Sequence, residues 1–163
     1  MTRVIATLLL LAFGCEDPEA ALPGSYTGTL DSSVTASRVA NIRPDGEGGR
    51  VADVTQYSSS SSASGTRVTI RRTGTSHGHT TFDASVAGVC DVPIHQLEGG
   101  TISELLLPAR CRCDLDGEWV EGNATVSGSF QEGRLQLDIG VSYMGSEEHT
   151  GGCTHTFVSS AAP

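Results

Sequence analysis

Five cysteines are the residues of this sequence whose type and spacing could do chemistry: Cys15, Cys90, Cys111, Cys113 and Cys153. Cys111 and Cys113 lie two positions apart, so on an extended chain their side chains leave the same face, with Cα atoms about 6.5 to 7 Å apart. That separation exceeds easy bridging geometry. We therefore expect one of the two to pair with Cys90 and the other with Cys153, each disulfide adding about 2–4 kcal/mol of stability.

A zinc site is the alternative use of the same cysteines. Cys111, Cys113 and Cys153 could bind the metal together with His155. The cysteines show no Cys-x-x-Cys spacing, which structural zinc sites commonly use. An exported protein would also meet an oxidising environment, in which disulfides form and persist. The sequence therefore favours two disulfides over zinc.

Two further clusters could hold a metal ion. His77 and His79 flank one glycine and could share a Zn, Cu or Ni ion. Asp114, Asp116 and Glu118 resemble half of a calcium loop, but its closing position holds threonine instead of a carboxylate. Polar, loop-like surroundings favour solvated histidines in the first case and a polar turn in the second. We expect no metal and no cofactor.

No group in the sequence is assigned a catalytic role. Ser127 and Ser129 fall on the polar face of a predicted strand, and neither a phosphate loop nor a dinucleotide motif is present. No pair of carboxylates stands where one pKa would be raised and the other left unchanged. Trp119 could line a ligand pocket, although a place in the core or at a strand edge explains it as well. We predict that the protein is not an enzyme.

The charge of the chain excludes one class of partner. The formal net charge is −9, and all ten basic residues are arginine. Nucleic-acid binding needs a basic face, so we expect no nucleic-acid partner. Electrostatic adhesion to anionic lipid is excluded for the same reason.

The first fifteen residues have the layout of a secretion signal. Arg3 precedes an apolar run at residues 4–13, which is too short to span a bilayer. Residues 11–15, Leu-Ala-Phe-Gly-Cys, resemble a bacterial lipobox, in which the cysteine becomes the lipidated first residue. Setting Cys15 aside leaves an even number of cysteines for disulfides. The alternative is an ordinary signal peptide cut nearby, with Cys15 unmodified or in a disulfide.

We therefore predict a lipoprotein signal peptide at residues 1–14 and lipidation at Cys15. Residues 15–23 are acidic, contain two prolines and show no apolar period, so they are predicted to be a tether. The protein is expected to be exported and anchored in a bacterial membrane through its lipid, facing the periplasm or the cell surface.

Alternation of apolar and polar residues predicts strands in most of the remaining chain. If Glu132 and Gly133 form a two-residue turn, both apolar sets of a hairpin fall on one face in register. The predicted opposite pairs are Phe130 with Leu135, Gly128 with Leu137, Val126 with Ile139 and Ala124 with Val141.

Three other segments are predicted not to be strands. The serine-rich residues 58–65 are predicted to form a flexible loop because they can bury nothing. Residues 73–79 are predicted to be a turn. Residues 98–107 are predicted to be helical or irregular, because Ile102, Leu105 and Leu106 recur at helical spacing. The count of eight to ten strands suits an antiparallel barrel or a closed sandwich.

Two stretches carry a family resemblance. Gly24-x-Tyr26-x-Gly28 opens the domain, and the hairpin from Gly128 to Leu135 lies near its end. Both are similar to segments of the calycin-like (lipocalin-related) β-barrel domains of small bacterial lipoproteins. The resemblance implies an all-β, single antiparallel barrel of about eight strands over residues 24–160.

Two main functions remain open at this point. The first is a lipid-anchored, non-catalytic barrel that binds a small apolar ligand or a peptide in its mouth. The alternative is a structural or protein-interaction module of the cell envelope with a filled barrel. A third hypothesis is a metal-binding protein that uses His77 and His79.

Overall fold

The computed structural model describes residues 17–94, 97–115, 118–144 and 149–160. These residues form an antiparallel β structure with one turn of helix, which confirms the all-β prediction. The elements are α1 (Pro18–Ala21), β1 (Gly24–Pro44), β2 (Arg50–Ser76), β3 (His79–Val86), β4 (Cys90–Ile94), β5 (Leu97–Glu98), β6 (Thr101–Leu115), β7 (Glu118–Gln131), β8 (Arg134–Met144) and β9 (His149–Ser159).

All nine described strands belong to one sheet, in the order β4-β3-β2-β1-β9-β8-β7-β6-β5. The strand at one end of this order, β4, also pairs with β6 near the other end. That ladder contains two residue pairs, Cys90 with Cys111 and Asp91 with Arg110. The sheet is not closed along its length, and this short contact links the two ends of the strand order.

The β7–β8 hairpin has the predicted register. All four predicted pairs lie opposite each other, from Phe130 with Leu135 to Ala124 with Val141. Glu132 and Gly133 form the turn with φ of 51° and 72°. Two-residue turns with positive φ at both positions match the twist of the flanking strands, and glycine adopts this conformation without strain.

One face of the sheet forms the core. Its side chains are aliphatic with few aromatics, in line with an aromatic content of 5%. The largest fully buried side chains are Phe82, Phe157, Leu22, Ile70, Ile94, Ile102, Leu135, Leu137, Ile139, Val68, Val86 and Val92. All of them except Leu22 lie on strands, where side chains alternate between faces, so the parity that buries them leaves their neighbours on the other face.

Two disulfides join the strands, and the disulfide prediction is confirmed. Cys90 bonds to Cys111, and Cys113 bonds to Cys153. The first bond joins residues that lie directly opposite each other on β4 and β6. The second connects β6 with β9. Cys111 and Cys113 therefore pair elsewhere in the sheet and not with each other, as their spacing predicts.

The prediction of a flexible loop at residues 58–65 is wrong. Residues 58–64 lie inside β2 and pair with β1, with Ser58 opposite Thr35 and Ser64 opposite Thr29. A strand ladder is built from backbone N–H and C=O groups, so it needs no apolar side chain. The serines are exposed, so the inference that they bury nothing holds, whereas the inference that they form no strand does not.

The prediction of a helical or irregular segment at residues 98–107 is also wrong. Residues 101–104 lie in β6 and pair with β7, where Ile102 is buried opposite Gly128. Short apolar runs do not distinguish helix from strand, and here pairing with β7 decides the conformation.

The acidic segment predicted to be a tether is structured where it is described. Asp17 caps α1 by accepting a hydrogen bond from the Glu19 amide at 3.0 Å. Leu22 is completely buried, and its carbonyl accepts a hydrogen bond from the Tyr26 hydroxyl at 2.6 Å. A single apolar residue makes this contact, and one residue forms no periodic pattern from which its burial could be predicted. Residues 17–22 thus contact the sheet through Leu22 and Glu19, whereas residues 15 and 16 lie outside the described part.

The close approach of β7 and β8 at Gly128 generates a prediction about stability. A Cβ atom at this position would collide with the backbone carbonyl oxygen of Gln136. Because the carbonyl belongs to the ladder, it cannot move aside without breaking the pairing. Gly128→Ala is expected to lower the free energy of unfolding by about 3 kcal/mol, measured by urea denaturation.

The matched control is Gly140→Ala on β8. Its new methyl group would lie 2.9 Å from the hydroxyl oxygen of Thr125. That oxygen belongs to an exposed side chain, which can turn away without disturbing the backbone ladder. The control is expected to cost less than about 1 kcal/mol. Equal losses for the two variants would contradict the close-approach argument.

Candidate functional site

The most prominent buried polar group of the described chain is His155 on β9. Its side chain is 4% exposed and lies opposite the half-buried Ser32 of β1. The Nδ1 atom is 2.8 Å from the Ser32 hydroxyl. The Nε2 atom is 3.2 Å from the Arg112 carbonyl oxygen and 3.2 Å from Sγ of Cys153. Both ring nitrogens therefore have polar partners.

The partners of His155 determine its tautomer. A carbonyl oxygen can only accept a hydrogen bond, so Nε2 carries the proton and donates to Arg112. Nδ1 then accepts the hydroxyl proton of Ser32. The Cys153 sulfur is bonded to Cys113 and carries no hydrogen, so it also can only accept from Nε2. The arrangement is satisfied by a neutral imidazole.

Burial lowers the pKa of His155 below its ordinary value, and the hydrogen bond to the Arg112 carbonyl offsets this only in part. The hydroxyl, imidazole and carbonyl have the connectivity of a nucleophile, its base and an orienting group. The imidazole is nevertheless enclosed between paired strands, where the same contacts satisfy its buried polar atoms. The cluster thus joins β1, β9 and the Arg112 backbone of β6.

Sequence reasoning missed this cluster and one motif. Ser32 and His155 are separated by 123 positions, so only their pairing across β1 and β9 brings them together. The alternation of side chains along β9 could have indicated that His155 is buried. It lies between Cys153 and Phe157, which share its buried face.

The missed motif is a Gly-x-Ser-x-Gly string at residues 74–78, with Ser76 at its centre. A nucleophile elbow requires a turn from a strand into a helix. Here β2 continues to Ser76, and His77 and Gly78 turn directly into β3. The predicted turn at residues 73–79 is therefore narrower than expected, and the motif lacks its structural context.

The predicted metal candidates do not form a cluster in the described residues. No group of three or more histidine, cysteine or acidic side chains meets there. The four cysteines of the disulfides offer no free thiolate for zinc. His77 lies in the hairpin turn, where its Nδ1 atom is 3.0 Å from the Ser76 hydroxyl.

Several predicted residues fall outside what the structure describes. These are Cys15 and Asp116, together with the side chains of Asp114, Glu118 and Trp119. The backbone places Asp114 opposite Trp119 and residue 115 opposite residue 118 at the ends of β6 and β7.

The outer surface carries a long two-stranded ribbon. Residues 39–44 of β1 extend past the β9 ladder, which ends at Arg38, and they pair with the first residues of β2. Val39 lies opposite Val54, whose side chain is 59% exposed. Arg43 and Asp53 form an ion pair at 3.5 Å, but both side chains are more than half exposed, so the pair adds little stability.

The described surface depressions lie away from the centre of the core. One is lined by Ser33, Thr35 and Gly140, a second by Arg71, Asp83 and Asp91, and a third by Tyr26 and Phe130 among others. Val126, Leu137 and Ile139 line none of these three depressions. These three inner residues are at most 1% exposed.

Comparison with models of protein families, with curated proteins and with solved structures finds no match for this chain. Within the described residues, no helix has the length and apolar character needed to cross a membrane. Functional inference therefore depends on the residues and geometry given above.

The buried, neutral imidazole predicts a pH dependence of stability. The unfolded chain binds a proton on His155 with an ordinary pKa near 6.5, whereas the folded protein resists it. Stability is expected to be full above about pH 7 and to fall as the pH drops through the unfolded value, by up to about 1.4 kcal/mol per pH unit. The loss ends below the folded pKa.

Urea denaturation between pH 8 and pH 5 measures this dependence. His155→Gln is expected to remove that component of the slope. The control is His77→Gln, because it also removes one imidazole but from an exposed turn. A wild-type slope in the His155 variant would assign the dependence to other groups.

Proposed function

We propose that this protein is a lipid-anchored, non-catalytic module of the bacterial cell envelope that acts through its outer surface. This is the filled-barrel alternative of the sequence analysis. The observation that carries the proposal is the packing of the inner face, where Val126 of β7 and Leu137 and Ile139 of β8 are at most 1% exposed.

The end of the sheet next to α1 also supports this choice over a ligand in the barrel mouth. Leu22 is completely buried there, and the rings of Tyr26 and Phe130 meet edge to face with centroids 5.9 Å apart. The Thr80 hydroxyl donates a hydrogen bond to the Glu19 carboxylate at 2.6 Å, which joins α1 to β3. The surface depression lined by Tyr26 and Phe130 lies at this end, and none of the inner residues Val126, Leu137 and Ile139 lines it.

We further infer a calycin-like barrel of eight strands. Apart from the two-residue β5, the strand order contains eight members, and the β4–β6 ladder joins its ends. The Cys90–Cys111 disulfide lies on this ladder and ties its two strands together. The resemblance of the Gly24 and Gly128 segments to calycin-like domains supports the same architecture.

Cysteine pairing supports the lipid anchor. The four described cysteines are consumed in two disulfides, which leaves Cys15 as the fifth, and disulfides are typical of exported proteins. Acylation of Cys15 would hold the protein at a membrane without a transmembrane helix.

The packing of α1 would also orient the protein on the membrane. Asp17 is two residues from Cys15, a span of at most about 7 Å. The lipid would therefore hold the α1 end of the sheet close to the bilayer. Strand β1 contains 21 residues and would extend roughly 65 Å from that end. The ribbon formed by β1 and β2 would then point away from the membrane, towards partners.

Metabolic labelling tests the anchor. Cells that produce the full chain are supplied with an alkyne fatty acid, and the label is expected on the wild-type protein, which partitions into the membrane fraction. Cys15→Ala is expected to lose the label and the membrane association. Cys153→Ala is the control for general cysteine reactivity and should keep the label. Equal labelling of wild type and Cys15→Ala would contradict lipidation at this residue.

A fluorescent fatty-acid probe tests the filled core. Because the inner face is packed with aliphatic side chains, we expect no saturable binding of the probe. Its fluorescence emission should therefore show no blue shift that unlabelled fatty acid can reverse. The probe is titrated into Cys15→Ala protein, so that the attached lipid does not compete with it. Displaceable binding that is weakened by Leu137→Trp, which would occupy interior space, would favour the ligand hypothesis instead.

A further inference from the structure

One short motif of the sequence has no part in the proposed function. Asn123, Ala124 and Thr125 form Asn-x-Thr, the acceptor motif for N-linked glycosylation of exported proteins, in which x is any residue except proline. The chain has one other asparagine, Asn41, which lacks the motif because arginine stands two positions after it. A match of three residues can arise by chance, so the surroundings of Asn123 decide whether the motif is usable.

Strand β7 presents both polar residues of the motif on its outer face. Ala124 is 1% exposed and faces the core, whereas Asn123 and Thr125 are exposed, as alternation along a strand requires. Within the part of the chain that the structure describes, the Asn123 side chain makes no hydrogen bond. Thr125 donates one long hydrogen bond, 3.3 Å, to the Gly140 carbonyl oxygen. The acceptor amide and the hydroxyl two positions later therefore lie on the same side of the strand.

The surface beside Asn123 has room for an attached sugar. On β8, Ser142 lies directly opposite Asn123, and Gly140 lies opposite Thr125. Ser142 and Thr125 line a depression of about 600 Å³, together with Gly140 and Gly152, which have no side chains to fill it. This volume falls within the roughly 300–1,000 Å³ that small-molecule sites enclose. The first sugars of a glycan on Asn123 would therefore meet open space and not a bulky side chain.

The chemistry of this depression suits an uncharged sugar. None of the described side chains that line it is charged, and those that carry a hydroxyl group come from four neighbouring strands: Ser33, Thr35, Thr125, Ser142 and Thr154. A hydroxyl group both donates and accepts hydrogen bonds, which is what the hydroxyls of a sugar also do. The chain as a whole has a formal net charge of −9, so this neutral surface is a local property of the face next to Asn123.

We propose that Asn123 carries an N-linked glycan in the exported protein, with its first sugars over the depression lined by Thr125 and Ser142. The donor is a sugar whose anomeric carbon bears a lipid-linked diphosphate. The Asn123 nitrogen forms a bond to that carbon, while the bond between the carbon and the diphosphate oxygen breaks. The diphosphate leaves with the electron pair of that bond, and one amide proton passes to a base of the transferase. Nothing is oxidised or reduced.

The place of Asn123 in a paired strand determines when the transfer occurs. A transferase must enclose the acceptor amide, and the ladder between β7 and β8 prevents this once it has formed. The predicted secretion signal directs the chain across a membrane with its N-terminal part first. Asn123 then emerges before β8 and β9, which are formed by residues 134–144 and 149–159. Transfer during export therefore precedes the pairing of this part of the sheet.

Mass spectrometry of the protein isolated from the cells that naturally produce it tests the proposal. Trypsin cleaves after Arg112 and Arg134, and the resulting peptide, residues 113–134, contains Asn123 as its only asparagine. After reduction of the disulfide, this peptide is expected to carry a mass excess made up of sugar residues, and fragmentation is expected to place it on Asn123. The peptide that contains Asn41 is the internal control and is expected to be unmodified.

Variants at the third position of the motif separate modification from a structural role. Thr125→Ala keeps the acceptor amide but lacks the hydroxyl, so it is expected to lose the sugar completely. Thr125→Ser keeps the hydroxyl and is expected to retain the sugar. Because Thr125 is exposed, neither substitution alters the core. Asn123→Gln is also expected to lose the sugar, whereas the matched control Asn41→Gln is expected to retain the wild-type mass excess.

This inference depends on the export that is part of the proposed function, but not on the lipid. The same samples are therefore also assayed for the fatty-acid label on Cys15. An unmodified Asn123 in the wild-type protein would overturn the glycan whether or not the label is present. Glycosylated protein without the label would support the glycan and contradict only the anchor. Sugar that persists in Thr125→Ala, or that is confined to the serine-rich peptide of residues 51–67, would also overturn the inference.

Discussion

The register of the strand ladders is the constraint on which the rest of the structure depends. Side chains alternate between faces along a strand, so a slip of one residue would transfer every inner side chain to solvent. At β7 and β8 the register is held by the two-residue turn at Gly133 and by the close approach at Gly128. The same alternation extends through β9, where it places His155 on the buried face opposite Ser32.

One disulfide reinforces a short ladder of the sheet, and the other joins two strands that are not paired with each other. The ladder between β4 and β6 has two residue pairs, and the Cys90–Cys111 disulfide forms one of them. The second disulfide connects β6 with β9, which are separated by two strands in the sheet order. A core with few aromatic side chains gains less from burial per residue, so such links matter more here than in an aromatic-rich core.

The sequence predicts those parts of the fold in which side-chain pattern and backbone conformation agree. The β7–β8 hairpin is predictable because the apolar parity on both strands and the glycine of the turn require the same register. The serine run is not, because its strand is held by backbone groups while its side chains carry no pattern. The burial of Leu22 cannot be predicted from the sequence, because a single buried residue forms no periodic pattern.

Features that depend on distant pairing are harder to derive from the chain alone. The parity of β9 indicates that His155 is buried, but its partner Ser32 follows only from the β1–β9 register. The lack of a described strand partner on the second side of residues 50–65 likewise follows from a comparison of lengths, since β2 has 27 residues and its neighbour β3 has eight. The length of β2 cannot be recognised while the serine run is taken for a loop.

The difference in length between β2 and β3 connects the fold with its use. A strand of β2's length is required on one side by β1, which it pairs along nearly its whole course. On the other side, β2 pairs with β3 only from Val68 onward in the described chain. The serine run is thus held in the sheet by its backbone pairing with β1, while its exposed side chains contribute nothing to the packed interior.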